Sequence, residues 1–271
     1  MCGIIGIASN KPVSINIINS LKKLEYRGYD SAGLATLSSN LIDEKKCSGR
    51  VDELEKILFK NPSNGNIGIG HVRWATHGVP NIVNAHPHSS EVVSVVHNGI
   101  IENSDELKKD LEAQGLKFKS QTDTEVITLL VTQFLQNSKP LESVFKTLKK
   151  LKGSFALGII FKDFSDIIIG ARRGSPLAVG YSKEENYLGS DSYALKSMTN
   201  KISYLDDGEL CMLKKNKVEF FDENQNKINK KVHIVSDDEN VSDKGDYKNF
   251  MSKEIFEQSI TIKKCLSEYT D

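Results

Sequence analysis

The sequence predicts an α+β chain folded as a four-layer α/β/β/α sandwich of two mainly antiparallel sheets. Two observations carry that prediction. Apolar, small-residue runs of strand length fall into two sets, one before residue 100 and one after residue 153. Between the sets lie segments whose apolar residues recur every three or four positions, so helices separate the two groups of strands.

Residues 3–8 are small and β-branched, a short buried strand with Cys2 at its mouth. From Ser14 the period changes, and Ile15, Ile18, Leu21 and Leu24 form one helical stripe with Lys22 and Lys23 outside. Arg27 to Gly33 is too rich in glycine and small residues for a helix and reads as a tight loop entering a strand at 34–37. Residues 51–60 read as a surface helix, and 61–65 as an exposed turn. A strand over 67–72 runs into Arg73-Trp74-Ala75-Thr76-His77-Gly78, and a strand over 92–96 delivers His97-Asn98-Gly99 at its end. Helices follow over 104–114 and from Thr122-Asp123-Thr124-Glu125, whose spacing is that of a capping box, to Gln136. Pro140 suits the first turn of another helix. Strands are then expected over 155–161, 167–171, 177–181, 202–204, 210–213 and 218–221. After Val235 the chain becomes charged and poor in apolar residues until a helical pattern resumes over 247–266. The expected division is a domain over 1–235 and a linker with the start of a connector helix over 236–271.

The 271 residues balance 36 basic against 36 acidic side chains, which gives no case for nucleic acid or an anionic membrane as partner. No segment is long and apolar enough for a signal peptide or a bilayer span. The four cysteines show neither metal-ligand spacing nor a disulfide framework, so a cytoplasmic location is expected.

Cys2 carries the chemistry. If Met1 is trimmed, Cys2 gains a free α-amine beside its own sulfur, and one residue supplies both nucleophile and base. With a reference pKa near 7.7, roughly a sixth of such amines are neutral at pH 7. Three further polar loop sites are Arg73 to His77, Asn98-Gly99 and Asp123, and with Cys2 they are the parts needed to hydrolyse a glutamine side-chain amide. Asn98 offers a side-chain NH2 and Gly99 an unobstructed N–H to a developing oxyanion. Arg73 offers a fork of donors to the substrate α-carboxylate, with Thr76 and His77 as second donors, and Asp123 offers a charge to its α-ammonium. Gly78 is a candidate hinge and Trp74 a candidate cover for the loop over 73–80.

Each residue also has a plainer reading. Asp123 would complement a helix dipole, Asn98-Gly99 is an ordinary hairpin signal, Arg73 would form a surface ion pair, and Trp74 would be core. Histidines 71, 77, 86, 88 and 97 crowd one window. They lack the helical i, i+4 pairing of a zinc site, and strand alternation points His97 and its neighbours to different faces, so no metal and no cofactor is expected. Joint occurrence is what favours chemistry.

The motifs Cys2-Gly3-Ile4, Arg27 to Gly33, Arg73 to Gly78, Asn84-Ala85-His86-Pro87-His88, His97 to Asn103 and Thr122 to Val126 together resemble the glutaminase domain of the glucosamine-6-phosphate synthases. These are class II glutamine amidotransferases with the N-terminal nucleophile hydrolase fold. The likeness extends over the whole chain, and the segment from Asp243 resembles the connector to a sugar isomerase half. It implies Cys2 as nucleophile with its amine as base, and Asn98 and Gly99 as oxyanion hole. Arg73, Trp74, Thr76, His77, Gly99 and Asp123 would surround L-glutamine, with Arg27 and His86 in support. It also implies a C-terminal half that binds fructose 6-phosphate and accepts the ammonia to make glucosamine 6-phosphate, with a homodimer formed by the full-length enzyme. Two other readings are a class II amidotransferase with another acceptor, such as a phosphoribosyl one, and a silent glutamine-binding module if Met1 is retained.

Overall fold

Strand β1 (Gly3–Ala8) is buried along its whole length, and the reason is that both of its faces are covered. Ile4 and Ala8 point into a core between two sheets, whereas Ile5 and Ile7 point into a second core against helices. A strand buried on both sides reads as an unbroken apolar run, which is how this segment reads in the sequence. The computed structural model describes residues 2–235, 246–247 and 250–267.

The chain continues through α1 (Ser14–Leu24), β2 (Ser31–Ser38), β3 (Leu41–Ser48), α2 (Val51–Lys60), β4 (Ile67–Arg73), β5 (His88–Ser89) and β6 (Val93–Ile101). Three helices follow, α3 (Ser104–Ala113), α4 (Thr124–Leu135) and α5 (Pro140–Leu148). The second half holds β7 (Gly153–Phe161), β8 (Phe164–Arg173), β9 (Ala178–Tyr181), β10 (Asn186–Gly189), α6 (Ser192–Leu195), β11 (Lys201–Tyr204), β12 (Leu210–Lys214) and β13 (Lys217–Phe221). Two-residue strands β14 (Lys227–Ile228) and β15 (His233–Ile234) follow, then helix α7 (Phe250–Ser267).

One sheet has the order β15-β11-β9-β10-β1-β4-β2-β3 and the other β14-β13-β12-β8-β7-β6-β5. Helices α1, α2 and α6 cover the outer face of the first sheet, and α3 to α5 cover the outer face of the second. The result is the α/β/β/α sandwich. Ile69 of β4, Val96 of β6, Ala156 of β7 and Ile168 of β8 are fully buried between the sheets. Gly70 lets α1 approach β4, because a Cβ there would lie 2.4 Å from Ile17 Cγ2.

Several expectations need correction. Ile15 is exposed and Ile17 takes its place on the α1 stripe. Strand β3 was hidden by Asp43, Glu44, Lys45 and Lys46; it is the edge of its sheet, where charge discourages pairing with another chain. The 61–65 turn is only partly exposed, with Ser63 buried and hydrogen-bonded to Asp43. No capping box forms at α4. Asp123 is its N-cap residue, and Glu125 accepts instead from the backbone N–H groups of Lys119 (2.8 Å) and Ser120 (2.6 Å).

The chain divides into two compact units, Met1–Val235 and Ser236–Asp271. The expected linker over 236–245 lies outside the described residues. Within the second unit α7 presents Met251, Phe256 and Ile260 as exposed apolar side chains. No helix among the described residues is long and apolar enough to cross a membrane.

Candidate active site

Register brings the sequence-predicted residues to one end of the sandwich. Because β1 and β4 are antiparallel with Gly3 opposite Val72, Cys2 falls beside Arg73. Ser31 pairs with Arg73, so Asp30 is delivered to the same place, and the Ser190 N–H bonds the Ile4 carbonyl at 3.1 Å. Alternation then decides which side chains converge. Cys2 continues the Ile4 face of β1, His71 the Ile69 face of β4, and Asn98 the Val96 face of β6. These faces line the inter-sheet core, so the site is the polar, open end of that core.

A cleft is lined by Cys2, Arg73, Trp74, Thr76, His77 and Asp123, with His86, His97, Gly99, Thr122 and Thr124 around them. The Cys2 sulfur sits against the backbone of Trp74, accepting its N–H at 3.2 Å and facing its carbonyl at 3.5 Å. Burial pushes the Cys2 thiol above its ordinary value, opposed by the Trp74 N–H. The sulfur therefore rests as a thiol and needs a base. The Trp74 indole itself is half exposed, edge-on to Tyr29 at 6.5 Å, so this residue meets Cys2 through its backbone.

Asn98 and Gly99 are not in a hairpin turn. They lie inside β6, paired with Ala156 and Phe155 of β7. Gly99 has φ +130°, and a Cβ there would lie 2.1 Å from the Ser154 carbonyl oxygen, so no larger residue fits. The Asn98 Nδ2 donates to the Cys2 carbonyl at 3.0 Å and to Ser190 Oγ at 3.0 Å.

Arg73 is buried, and its guanidinium clasps its own loop: Nη2 donates to the carbonyls of His77 and Gly78, and Nη1 to that of Val79. Thr76 and His77 bond each other at the rim, 3.2 Å apart. The Asp123 Oδ2 accepts the Ile101 N–H at 2.8 Å, which fixes the carboxylate across to β6 rather than onto its own helix. Asp30 pins the start of the loop by accepting the Ala75 N–H.

Arg27 lies outside the cleft lining. It pairs with Asp191 at 2.6 Å, next to the Ser190 that holds Asn98. His86 stacks on His71 with ring centroids 4.2 Å apart, and its Nε2 meets Thr124 Oγ1 at 2.8 Å. The same hydroxyl meets His97 Nδ1 at 3.0 Å, so it bridges the two imidazoles. Burial pushes His71 down to about 3 and holds His86, His88 and His97 below the usual imidazole value. Among the described residues no cluster of His, Cys, Asp or Glu side chains is arranged to hold a metal ion. All four cysteines are free thiols.

Sequence reasoning gave no role in the site to His71, Ser190, Asp30 or Thr124. His71 sits inside an apolar strand run, where alternation with Ile69 was the one available signal. Ser190-Asp191 has the look of a helix start, and Asp191 does cap α6 through the Ala194 N–H.

Residues 82–197 match the family model described as a glutamine amidotransferase domain. The whole chain aligns at 47% identity with a glutamine–fructose-6-phosphate aminotransferase (isomerizing) of Bradyrhizobium diazoefficiens, of which it covers 45%. It aligns at 48% over its full length with the protein of the same name from Brucella abortus, again covering 45% of it. The chain thus spans less than half the length of these curated relatives. Among solved structures, the glutamine phosphoribosylpyrophosphate amidotransferase of B. subtilis superposes over 83% of this chain and 50% of its own, with a TM-score of 0.70 and 25% identity.

Proposed function

We propose that the chain, which is similar to glutamine amidotransferases, hydrolyses the side-chain amide of L-glutamine through a thioester on Cys2. The observation that carries this reading is the meeting of Cys2, Gly99, Arg73 and Asp123 around one cleft from four separate parts of the chain, with Asn98 outside its lining but hydrogen-bonded to the Cys2 carbonyl.

Removal of Met1 frees the Cys2 amine. That amine takes the thiol proton, which burial holds on the sulfur at rest, and the thiolate attacks the substrate carboxamide carbon. The Asn98 NH2, exchanging its bond to the Cys2 carbonyl for the substrate oxygen, and the Gly99 N–H receive the charge that develops on the carbonyl oxygen. As the tetrahedral intermediate collapses, the amine returns its proton to the departing nitrogen, and ammonia leaves a thioester. Water then releases glutamate by the reverse sequence. Arg73 exchanges a loop carbonyl for the α-carboxylate of glutamine, with Thr76 and His77 beside it, and Asp123 faces the α-ammonium. Trp74 seats the sulfur, while Arg27 and His86 hold the parts behind it.

Residues 1–235 form the glutaminase in this reading, and 236–271 the linker and start of a connector to a sugar isomerase half. In the whole protein that half binds fructose 6-phosphate and takes the ammonia to give glucosamine 6-phosphate, as the names of the relatives suggest. Four free thiols support a cytoplasmic setting.

The test is glutamate release from L-glutamine by protein whose intact mass lacks Met1. Activity that disappears in Cys2→Ala while the far-UV spectrum is kept supports the mechanism; undiminished release from that variant refutes it. Full-length protein supplied with fructose 6-phosphate should yield glucosamine 6-phosphate.

A further inference from the structure

The orientation of the Asn98 amide is decided from behind, by a histidine the mechanism does not use. His71 is fully buried on β4, and its Nε2 lies 3.0 Å from the His97 carbonyl oxygen and 3.0 Å from Asn98 Oδ1. A backbone carbonyl can only accept, so Nε2 carries the hydrogen. Nδ1 then holds a lone pair, and it has no hydrogen-bond partner among the described residues. A donor at Nε2 requires the facing amide atom to be oxygen. With Oδ1 turned to His71, Nδ2 is necessarily turned to the Cys2 carbonyl and Ser190 Oγ. Rotating the amide by half a turn would set N–H against N–H at His71 and oxygen against oxygen at Cys2. Both contacts are repulsive, and the His71 side is fully buried.

We propose that His71 is a positioning residue for glutamine hydrolysis, holding the Asn98 amide through its Nε2–H tautomer so that Nδ2 faces the Cys2 side of the cleft. The proposal rests on the reading of Asn98 as an oxyanion donor. Burial, the neighbouring His97 and the nearby charge of Arg73 all disfavour the imidazolium, so one neutral tautomer persists across the working pH range. The unsatisfied Nδ1 is the counterpart of that choice: a ring selected for its single donor leaves its other nitrogen idle.

The experiment compares kcat and KM for glutamine in wild type, His71→Met, His71→Gln, Asn98→Ala and the His71→Met/Asn98→Ala double variant, all with Met1 removed and with folding checked by circular dichroism. Methionine removes the donor and keeps the bulk; kcat should fall about tenfold to a hundredfold with KM within about twofold. Glutamine places an NH2 near the Nε2 position and should recover kcat to within about threefold of wild type. On the Asn98→Ala background the methionine substitution should change kcat by less than about twofold, because its target is gone. Wild-type kcat in His71→Met, or losses that multiply in the double variant, overturns the proposal. Wild-type kcat in Asn98→Ala instead overturns the underlying oxyanion reading. Should His71→Met not fold, nitrogen NMR of the wild-type imidazole decides: an Nε2–H signature supports the proposal and an Nδ1–H signature overturns it.

Discussion

Replacing His71 with glutamine should flatten the loss of stability between pH 7.5 and pH 5. In the folded chain burial holds the His71 imidazole down to about 3, against an ordinary value of about 6.5. As pH falls, the unfolded chain takes up this proton first, so the equilibrium is drawn toward unfolding. The stability linked to a neutral His71 is complete above pH 6.5 and is lost progressively down to the folded value, at about 1.4 kcal/mol per pH unit. At pH 5 the loss amounts to about 2 kcal/mol from this one ring. His86 and His88 are pushed down by burial as well and act in the same direction, but they remain in the variant. Glutamine does not titrate, and its amide nitrogen can serve both Nε2 acceptors, so the difference between the two proteins isolates His71. Urea midpoints followed by far-UV circular dichroism are the suitable assay, since the one tryptophan, Trp74, is half exposed and a poor reporter of the core. Parallel pH dependences in wild type and variant would mean that His71 titrates alike folded and unfolded. The argument for a neutral, single-tautomer ring would then fall.

Two further outcomes are expected at the cleft. Asp123→Asn removes the charge offered to the substrate ammonium but keeps an oxygen for the Ile101 N–H, so KM for glutamine should rise about tenfold or more while kcat changes little; an unchanged KM takes Asp123 out of the binding site. Gly99→Ala forces a Cβ against the Ser154 carbonyl at φ +130°, strain of about 1–3 kcal/mol that only a shift of β6 against β7 relieves; kcat should fall more than tenfold, and wild-type turnover would show that the Gly99 N–H is not needed where it stands.

The layers were legible because the sandwich buries its strands on both faces and its helices on one, leaving two distinct periods in the sequence. The proposed site residues could be picked out because the proposed chemistry restricts their types: few side chains other than Cys2, Arg73 and Asp123 could do the work asked of them. What held those residues was harder to read. The 98–99 pair has a turn-like composition, yet β7 pairs alongside it and carries the strand through, a tertiary contact that no local signal reports. Thr122 to Glu125 has capping-box spacing, yet Glu125 answers to Lys119 and Ser120, and Asp123 to a strand 22 residues away. Ser190 and Asp191 meet Asn98 and Arg27 across 92 and 164 residues of chain, and only folding makes that separation short.

Placement of the site at the open end of the inter-sheet core has a mechanical consequence. Asn98 belongs to one sheet, while its partners Cys2, His71 and Ser190 all belong to, or adjoin, the other. The spacing of the sheets therefore sets the distance between Asn98 and Cys2, the proposed donor and nucleophile, and the apolar side chains just inside set the spacing. Ile69 is the nearest on β4, two residues before His71 on the same face; Ile5 is equally buried but faces the helices. Truncation of either to alanine should cost about 2–5 kcal/mol of stability. Only Ile69→Ala leaves its void between the sheets, so only it should let the Asn98 donor drift from Cys2 and lower kcat at unchanged KM. Position matters at this level because a displacement of about 1 Å in a reacting group can cost a hundredfold in rate. Equal kcat losses in the two variants, at matched stability, would show that turnover follows general loosening rather than sheet spacing.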